Sequence, residues 1–480
     1  MEFIIVISLF PVAALIAMIA KRRSVIECAS ISAALFVCIA SITVALKVAS
    51  SGDYAPSRFF IIDALGALVM LIISCVGCAA VAYSIQYLRK ETAKKIIGFT
   101  RVKQYFILLN LFLSAMLLAV STSNPIFAWI SIEATTLSTA FLISFYNKPS
   151  AMEAAWKYLI INSIGLLLGF FGTLLYFTAS KIESGAGLAT WHDLLSHAAR
   201  LDPMIVQIAF IFILIGYGTK VGFAPMHTWL PDAHSKAPAP ISALLSGVLL
   251  NVALLVVLRF KVITDAAIGS DFSQKLFIAF GLLSILVSAL IMLTQKNYKR
   301  LLAYSSIENM GITALGFGFG GLGIFAAILH MLYHALVKSA LFLTAGNIFL
   351  TYGSTKIANV KGVLRVLPIT SVLFFAGIFI ITGAPPFGIF LTKLFTFSAG
   401  ILTHPAVTVI AVLLTTLVFI GLFKHATSMV FGDKPPEMQQ KKEDTWLILP
   451  PLVLFVLALC IGFYQPQFLQ ILLHNAAVPF

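Results

Sequence analysis

Charge is what this sequence has least of. Only 10% of its 480 residues are Asp, Glu, Lys or Arg, against 60% hydrophobic, where a soluble domain carries about 25% charged residues. A mean hydropathy of +1.01 and the want of any long polar interval exclude the string of soluble domains that length alone would suggest. Cysteine is scarce too, five in all, each in or at the edge of an apolar run. Cys75-Val76-Gly77-Cys78 has the spacing of half a metal site, and no second pair exists for it to join. Iron–sulfur or zinc chemistry is therefore not expected in this chain. No dinucleotide-binding fingerprint occurs in the strand-to-helix setting it needs, which excludes a nicotinamide site of that kind.

What the sequence has in quantity is apolar runs of membrane length. About 20 residues cross a hydrocarbon core of about 30 Å. Such runs fall near 2–20, 28–48, 60–86, 104–122, 124–146, 156–178, 204–222, 240–258, 277–295, 302–318, 321–350, 366–396, 405–424 and 447–470. The expected fold is an all-α polytopic membrane protein of about fourteen transmembrane helices. The first run follows Met1-Glu2 without a basic stretch or a small-residue cleavage site, so it is expected to stay as a helix. With the N-terminus outside, most of the 32 Lys and Arg fall on one side, at 21–23, 89–103, 296–300 and 424–442. That is the positive-inside pattern, and it predicts a multi-pass protein of the cytoplasmic membrane with both termini outside. It accounts for the net charge of +14 without a nucleic-acid partner.

Two runs carry glycine and proline at membrane depth, Gly222-Phe223-Ala224-Pro225 and Thr382-Gly383-Ala384-Pro385-Pro386-Phe387-Gly388. Proline removes a backbone donor and clashes with the preceding turn, so each helix should break there. Broken backbone within a membrane survives only inside protein or beside a wet cavity. Each break lies in the fourth run of a five-run block, 104–260 and 276–424. Interrupted segments at corresponding positions mark a transporter-like repeat with its ion path between them, and an odd number of crossings inverts the second block.

Lys220, Lys338 and Lys393 are the lysines deep in apolar runs. A charge at a helix centre costs about 2.5–3.5 kcal/mol on insertion scales, so such groups usually face the bundle interior and act on ions. Glu133 is the one deep acid of the first block and is expected to pair with Lys220, either as a working pair or as a static packing device. His330, His334 and Lys338 follow at i, i+4 and i+8 along one helical face. They suit a proton relay, and the two-histidine alternative, zinc, finds no third ligand. Glu308 falls near the inner end of its run and reads equally as an intake carboxylate or a solvated helix-end charge. Lys157 and Arg259 lie at run ends, where they are expected to snorkel to the headgroups.

The stretch Thr219-Lys220-Val221-Gly222-Phe223-Ala224-Pro225-Met226-His227-Thr228-Trp229-Leu230-Pro231-Asp232-Ala233-His234 resembles the signature of the antiporter-like subunits of respiratory complex I. Relatives of those subunits occur in Mrp cation/proton antiporters and membrane-bound energy-converting hydrogenases. Arg300-Leu301-Leu302-Ala303-Tyr304-Ser305-Ser306 and the His330/His334/Lys338 helix also look like family motifs, and the resemblance covers about 60–430. It implies fourteen helices with two inverted five-helix repeats, a Glu–Lys pair near the inlet, a hydrated polar axis and an outlet lysine or glutamate. By motif, Glu133 and Lys220 stand for the pair, Lys338 for the central lysine and Lys393 for the outlet, while His227 and His234 lie near the proton path.

Asn251 departs from the pattern, since many relatives carry lysine or histidine there. Together with Glu308-Asn309-Met310-Gly311 it looks most like the hydrogenase-4 branch, in its shorter, F-type form. The resemblance thus implies a proton-translocating member of a multisubunit redox complex, a membrane-bound hydrogenase or complex I-like oxidoreductase. A component of a Mrp-type Na⁺/H⁺ antiporter is the alternative. Iron–sulfur clusters and a nickel–iron site would then belong to partner subunits, membrane and peripheral, and the coupling ion would be H⁺ or Na⁺.

Overall fold

The computed structural model of the chain describes residues 2–179 and 190–480. The helices α1 (Glu2–Ile19) and α2 (Arg23–Ser51) lead into a small antiparallel hairpin, β1 (Tyr54–Ser57) and β2 (Phe60–Ile62). There follow α3 (Ala64–Ala93), α4 (Phe99–Ser121), α5 (Pro125–Ile143), α6 (Pro149–Ala179), the short α7 (Trp191–Ser196) and α8 (Pro203–Val221). Next come α9 (Trp229–Lys236), α10 (Ala239–Leu244), α11 (Leu250–Ile268), α12 (Ser270–Met292), α13 (Tyr298–Phe319) and α14 (Leu322–Tyr352). The chain closes with α15 (Val363–Val366), α16 (Pro368–Ile381), α17 (Gly388–Thr403), α18 (Pro405–Val430), α19 (Thr445–Phe463) and α20 (Gln467–Ala477).

Among the described residues, twelve helical segments are long and apolar enough to cross a membrane, taking α8 with α9 and α10 with α11 as one crossing each. The broken pair α16/α17 and the more polar α13 supply the other two of the fourteen expected crossings. The outermost helices keep large apolar side chains such as Phe141, Leu167, Phe171 and Leu413 exposed, as lipid requires. The apolar stretch of α10 and α11 is wholly buried, and those of α3 and α14 nearly so. These helices and α13 form the interior.

Local chemistry places the helix ends. Asn124 accepts hydrogen bonds from the amides of Ile126 and Phe127 ahead of α5, with Pro125 in the first turn. Asn297 does the same for Lys299 and Arg300 at the start of α13. Such caps satisfy amides that have no partner within the helix.

Both expected breaks occur. α8 ends where Gly222 turns to φ 87°, and α16 ends just before Gly383 at φ 89°, a region that costs glycine little. The freed carbonyls are taken up by side chains. Trp229 Nε1 donates to the Thr219 carbonyl at 2.8 Å, and Lys393 Nζ donates to the Thr382 carbonyl at 3.2 Å. A methyl group on Gly383 would lie 2.9 Å from Lys393 Cδ, so the turn also makes room for that lysine.

Two expectations about charged residues need correction. Arg259 does not snorkel to the surface. Because α11 runs on to Ile268, Arg259 is 8% exposed, donating to the Val120 carbonyl at 3.0 Å and lying 3.5 Å from Asp63. Lys299, placed with the loop charges by its sequence position, is buried in the first turn of α13. Lys157 does reach the surface, half-exposed beside Glu153 at 2.6 Å.

Candidate functional site: a buried polar axis

Lys220 stands in the last turn of α8, immediately before the first break, and is 0% exposed. Its ammonium donates to the Tyr158 hydroxyl of α6 at 2.6 Å and to Thr136 Oγ1 of α5 at 2.9 Å. It also lies 4.7 Å from the centroid of the Tyr158 ring, close enough for a cation–π attraction. Glu133 lies one turn before Thr136 on α5, within electrostatic reach of Lys220. Its Oε1 accepts from Ser163 Oγ at 3.0 Å, and its buried Oε2 has no partner. No ion pair within 4.0 Å joins Glu133 to Lys220 among the described residues. The expected pair is open, because two hydroxyls take the lysine's donors one turn away from the acid.

The second break builds a different centre. Glu308 lies at the middle of α13 and is 1% exposed. That corrects both its expected position near a helix end and its solvated alternative. The cap at Asn297 starts α13 earlier than hydropathy suggested and moves Glu308 inward. Lys393, in the second turn of α17, donates to Glu308 Oε1 at 2.9 Å. Asn309 Nδ2 donates to the other oxygen at 2.5 Å. The expected outlet lysine is therefore one member of a closed buried ion pair.

From this pair a row of polar groups runs along α14. The Asn309 Oδ1 faces His330 Nε2 at 3.0 Å, and His330 Nδ1 faces Thr392 Oγ1 of α17 at 2.8 Å. His334 stacks on His330 with ring centroids 6.3 Å apart and planes 11° from parallel. Lys338 donates to the Leu302 carbonyl at 2.6 Å and to Ser305 Oγ. The one-face arrangement read from the sequence is present, and α13 supplies the facing partners.

The histidines of the first break lead towards these helices. His227 meets Tyr304 of α13 edge-on at 6.1 Å, and His234 stacks on Phe342 of α14 at 4.9 Å. Asn251 stands in the first turn of α11. A π-helical turn, Leu245–Leu249, precedes it, and its Nδ2 donates to the Gly247 carbonyl at 2.9 Å and the Met331 carbonyl of α14 at 3.3 Å.

Buried polar atoms in proteins nearly always have a partner. Glu133 Oε2, both ring nitrogens of His234 and His334, Asn251 Oδ1 and Thr396 Oγ1 have none within the protein. They lie on α5, α9, α14, α11 and α17, and buried polar atoms of this kind are the usual partners of bound water. Among the described residues no group of three or more His, Cys, Asp or Glu is placed to hold a metal ion. Reading the sequence missed Tyr158, Thr136 and Thr392, and it quoted Ser305 and Asn309 within motifs without giving them a partner. Each is a polar residue in an apolar run, a signal that could have found them.

The sequence profile described as the transmembrane region of NADH:quinone oxidoreductase/Mrp antiporter matches residues 122–419. The chain is 38% identical over 418 residues to the hydrogenase-4 component F homolog of Methylacidiphilum infernorum (isolate V4), an alignment covering 86% of each protein. Its fold matches a chain of the membrane-bound sulfane sulfur reductase, an archaeal respiratory membrane complex, with a TM-score of 0.87 and 25% identity. That match covers 100% of this chain and 97% of the other. A chain of the Mrp complex from Dietzia sp. DQ12-45-1b matches with the same TM-score at 20% identity, over 99% and 97% of the two chains.

Proposed function

Because the chain belongs to the NADH:quinone oxidoreductase/Mrp antiporter transmembrane family, we propose that it moves protons across the membrane as the antiporter-like subunit of a redox complex of hydrogenase type. The observation that carries this reading is the contrast between two lysines beside two helix breaks, Lys393 closed on Glu308 and Lys220 open from Glu133. A carboxylate nearby favours the charged form of a buried lysine, and burial opposes it. Closing a Glu–Lys pair therefore tightens the lysine's hold on its proton, and opening it loosens that hold.

In this reading the basic face of the molecule is cytoplasmic, and the blocks 104–260 and 276–424 are inverted repeats. Glu133 and Lys220 load from the inside, assisted by His227 and His234. Lys338, His334 and His330 pass the proton along α14, and Lys393 with Glu308 releases it outside. Iron–sulfur clusters and a nickel–iron site in partner subunits would supply the electron transfer. Its effect on this chain is an electrostatic or conformational push on the Glu133–Lys220 gap.

Replacing Lys220 by Ala should sharply lower proton translocation in membrane vesicles while leaving the complex assembled. Undiminished translocation would remove Lys220 from the path. The second reading, a component of a Mrp-type secondary antiporter, is supported by the family itself, whose description takes in Mrp antiporters as well as NADH:quinone oxidoreductase. The 38% identity to the hydrogenase-4 component F homolog favours the redox reading. Co-purification separates them, since iron–sulfur subunits would accompany a redox complex and only small membrane subunits an antiporter. A sodium requirement for proton movement would mark Na⁺ as the coupling ion.

A further inference from the structure

If Asn251 interrupts the titratable row between Lys220 and Lys338, the central lysine needs another source of protons. We propose that a buried cluster around Glu91 and Lys299 is a second proton inlet, which loads Lys338 from the basic face without crossing Asn251. This inference rests on the proton-translocating reading above.

Glu91 lies in the last turn of α3, between exposed Lys90 and Lys94, yet is itself buried. Its Oε1 accepts from the Tyr146 hydroxyl at 2.5 Å, and Tyr146 in turn meets the Tyr87 hydroxyl at 3.1 Å. Burial, with the Glu91 carboxylate beside it, pushes the Tyr146 phenol well above its ordinary range, so Tyr146 remains a donor that positions Glu91. The Glu91 Oε2 is buried without a partner. Facing it are the phenols of Tyr83, Tyr87 and Tyr146 and the ammonium groups of Lys94 and Lys299.

Lys299 is the next charge inward. Its ammonium donates to the Ala237 carbonyl at 3.0 Å and lies 5.4 Å from the centroid of the Phe349 ring of α14. Glu91 and Lys299 lie within electrostatic reach of each other, but no ion pair within 4.0 Å joins them among the described residues. A device for packing alone would close such a pair, because separate buried charges each bear a desolvation cost. An open gap bordered by a free carboxylate oxygen has instead the form of a water-bridged transfer step.

The route onward follows helical spacing. Residues 299, 302, 305 and 309 share a face of α13, and Lys338 is held at Leu302 and Ser305, one turn inward from Lys299. His234 precedes Ala237 by one turn, and its two unpartnered ring nitrogens lie within electrostatic reach of both Lys299 and Lys338. A hydronium ion at the basic face gives its proton to the Glu91 carboxylate. The acid passes that proton into the water beside Lys299 and His234, and the neutral amine of Lys338 takes it, leaving Glu91 again as carboxylate.

The test uses the complex purified with its native subunits and reconstituted into vesicles, with assembly checked by co-purification. Glu91→Gln keeps the shape and the hydrogen bond from Tyr146 but cannot carry the proton, and it should lower proton translocation about tenfold or more. Glu91→Asp should restore most of the rate, because it keeps a titratable carboxyl group. Equal rates in the Gln and Asp variants would assign Glu91 to packing and overturn the inlet. If Glu91→Gln translocates normally while Lys338→Ala does not, the inlet is wrong and the translocation reading stands. Normal translocation by Lys338→Ala would overturn that reading itself. Should the Gln variant fail to assemble, Tyr146→Phe takes its place. It leaves the carboxyl but frees its orientation, and an unchanged translocation rate in that variant would likewise overturn the inlet.

Discussion

Lys220 and Lys393 stand beside two breaks of the same kind, one just before its break and the other just after, and they are held by opposite means. Lys393 is fixed by a full charge, Glu308 at 2.9 Å, and by the Thr382 carbonyl freed at the break. Lys220 is fixed by dipoles, the hydroxyls of Tyr158 and Thr136, with its acid one turn away. The two arrangements respond differently to a change of charge nearby. A closed ion pair holds itself against modest fields, while an ammonium held by neutral hydroxyls has an acid still available to move towards. The site at the end of α8 thus has the geometry of a receiver and the site on α17 that of a latch.

The strongest way to break the contrast is to remove the latch. Glu308→Gln leaves the Lys393 ammonium buried without its counter-charge, and losing one partner of a buried pair costs about 3–5 kcal/mol. Thermal unfolding in detergent should show that loss, and the double variant Glu308→Gln/Lys393→Met should recover much of it. A single variant as stable as the native chain would mean that the pair is not closed in the working protein. On the receiver side, Tyr158→Phe removes one of two donor-accepting hydroxyls from a charged group, worth about 1.5–3 kcal/mol. It should slow proton translocation less than Lys220→Ala does, and an equal loss would show that Tyr158 itself carries the proton. The smallest effect is expected for Asn251→Lys, which exchanges a neutral hydrogen bond of about 0.5–1.5 kcal/mol for an added carrier. The variant should assemble normally, and failed assembly would show that the amide contact at Met331 is needed to seat α11 on α14.

Much of this arrangement could be read from residue order. Proline at membrane depth has few physical outcomes, so both breaks were legible, as were the crossings that lipid demands be apolar. Lysines and histidines stood out for the same reason, as charges in an otherwise greasy run. Contacts between helices were not legible. Glu308 and Lys393 are 85 residues apart, and nothing in either run names the other as its partner. Glu91 and Lys299 escaped because a mean-hydropathy boundary placed both in loops, whereas α3 extends to Ala93 and α13 begins at Tyr298. A helix end walled in by neighbours can be polar without cost to the fold, and hydropathy counts composition without seeing the wall.

The polar middle of α13 has a consequence for how the protein is made. Glu308, Asn309, Ser305 and Ser306 lie together at its centre, and nearly every side chain of the helix is covered by others. A segment of this kind gains little from lipid alone, since charged centres are disfavoured on insertion scales. Its place in the bilayer is supplied by the helices around it, α12 before it and α14 after it. Biogenesis should therefore deliver α13 to the membrane together with its neighbours, so that its polar centre is assembled at the same moment as the bundle that shelters it.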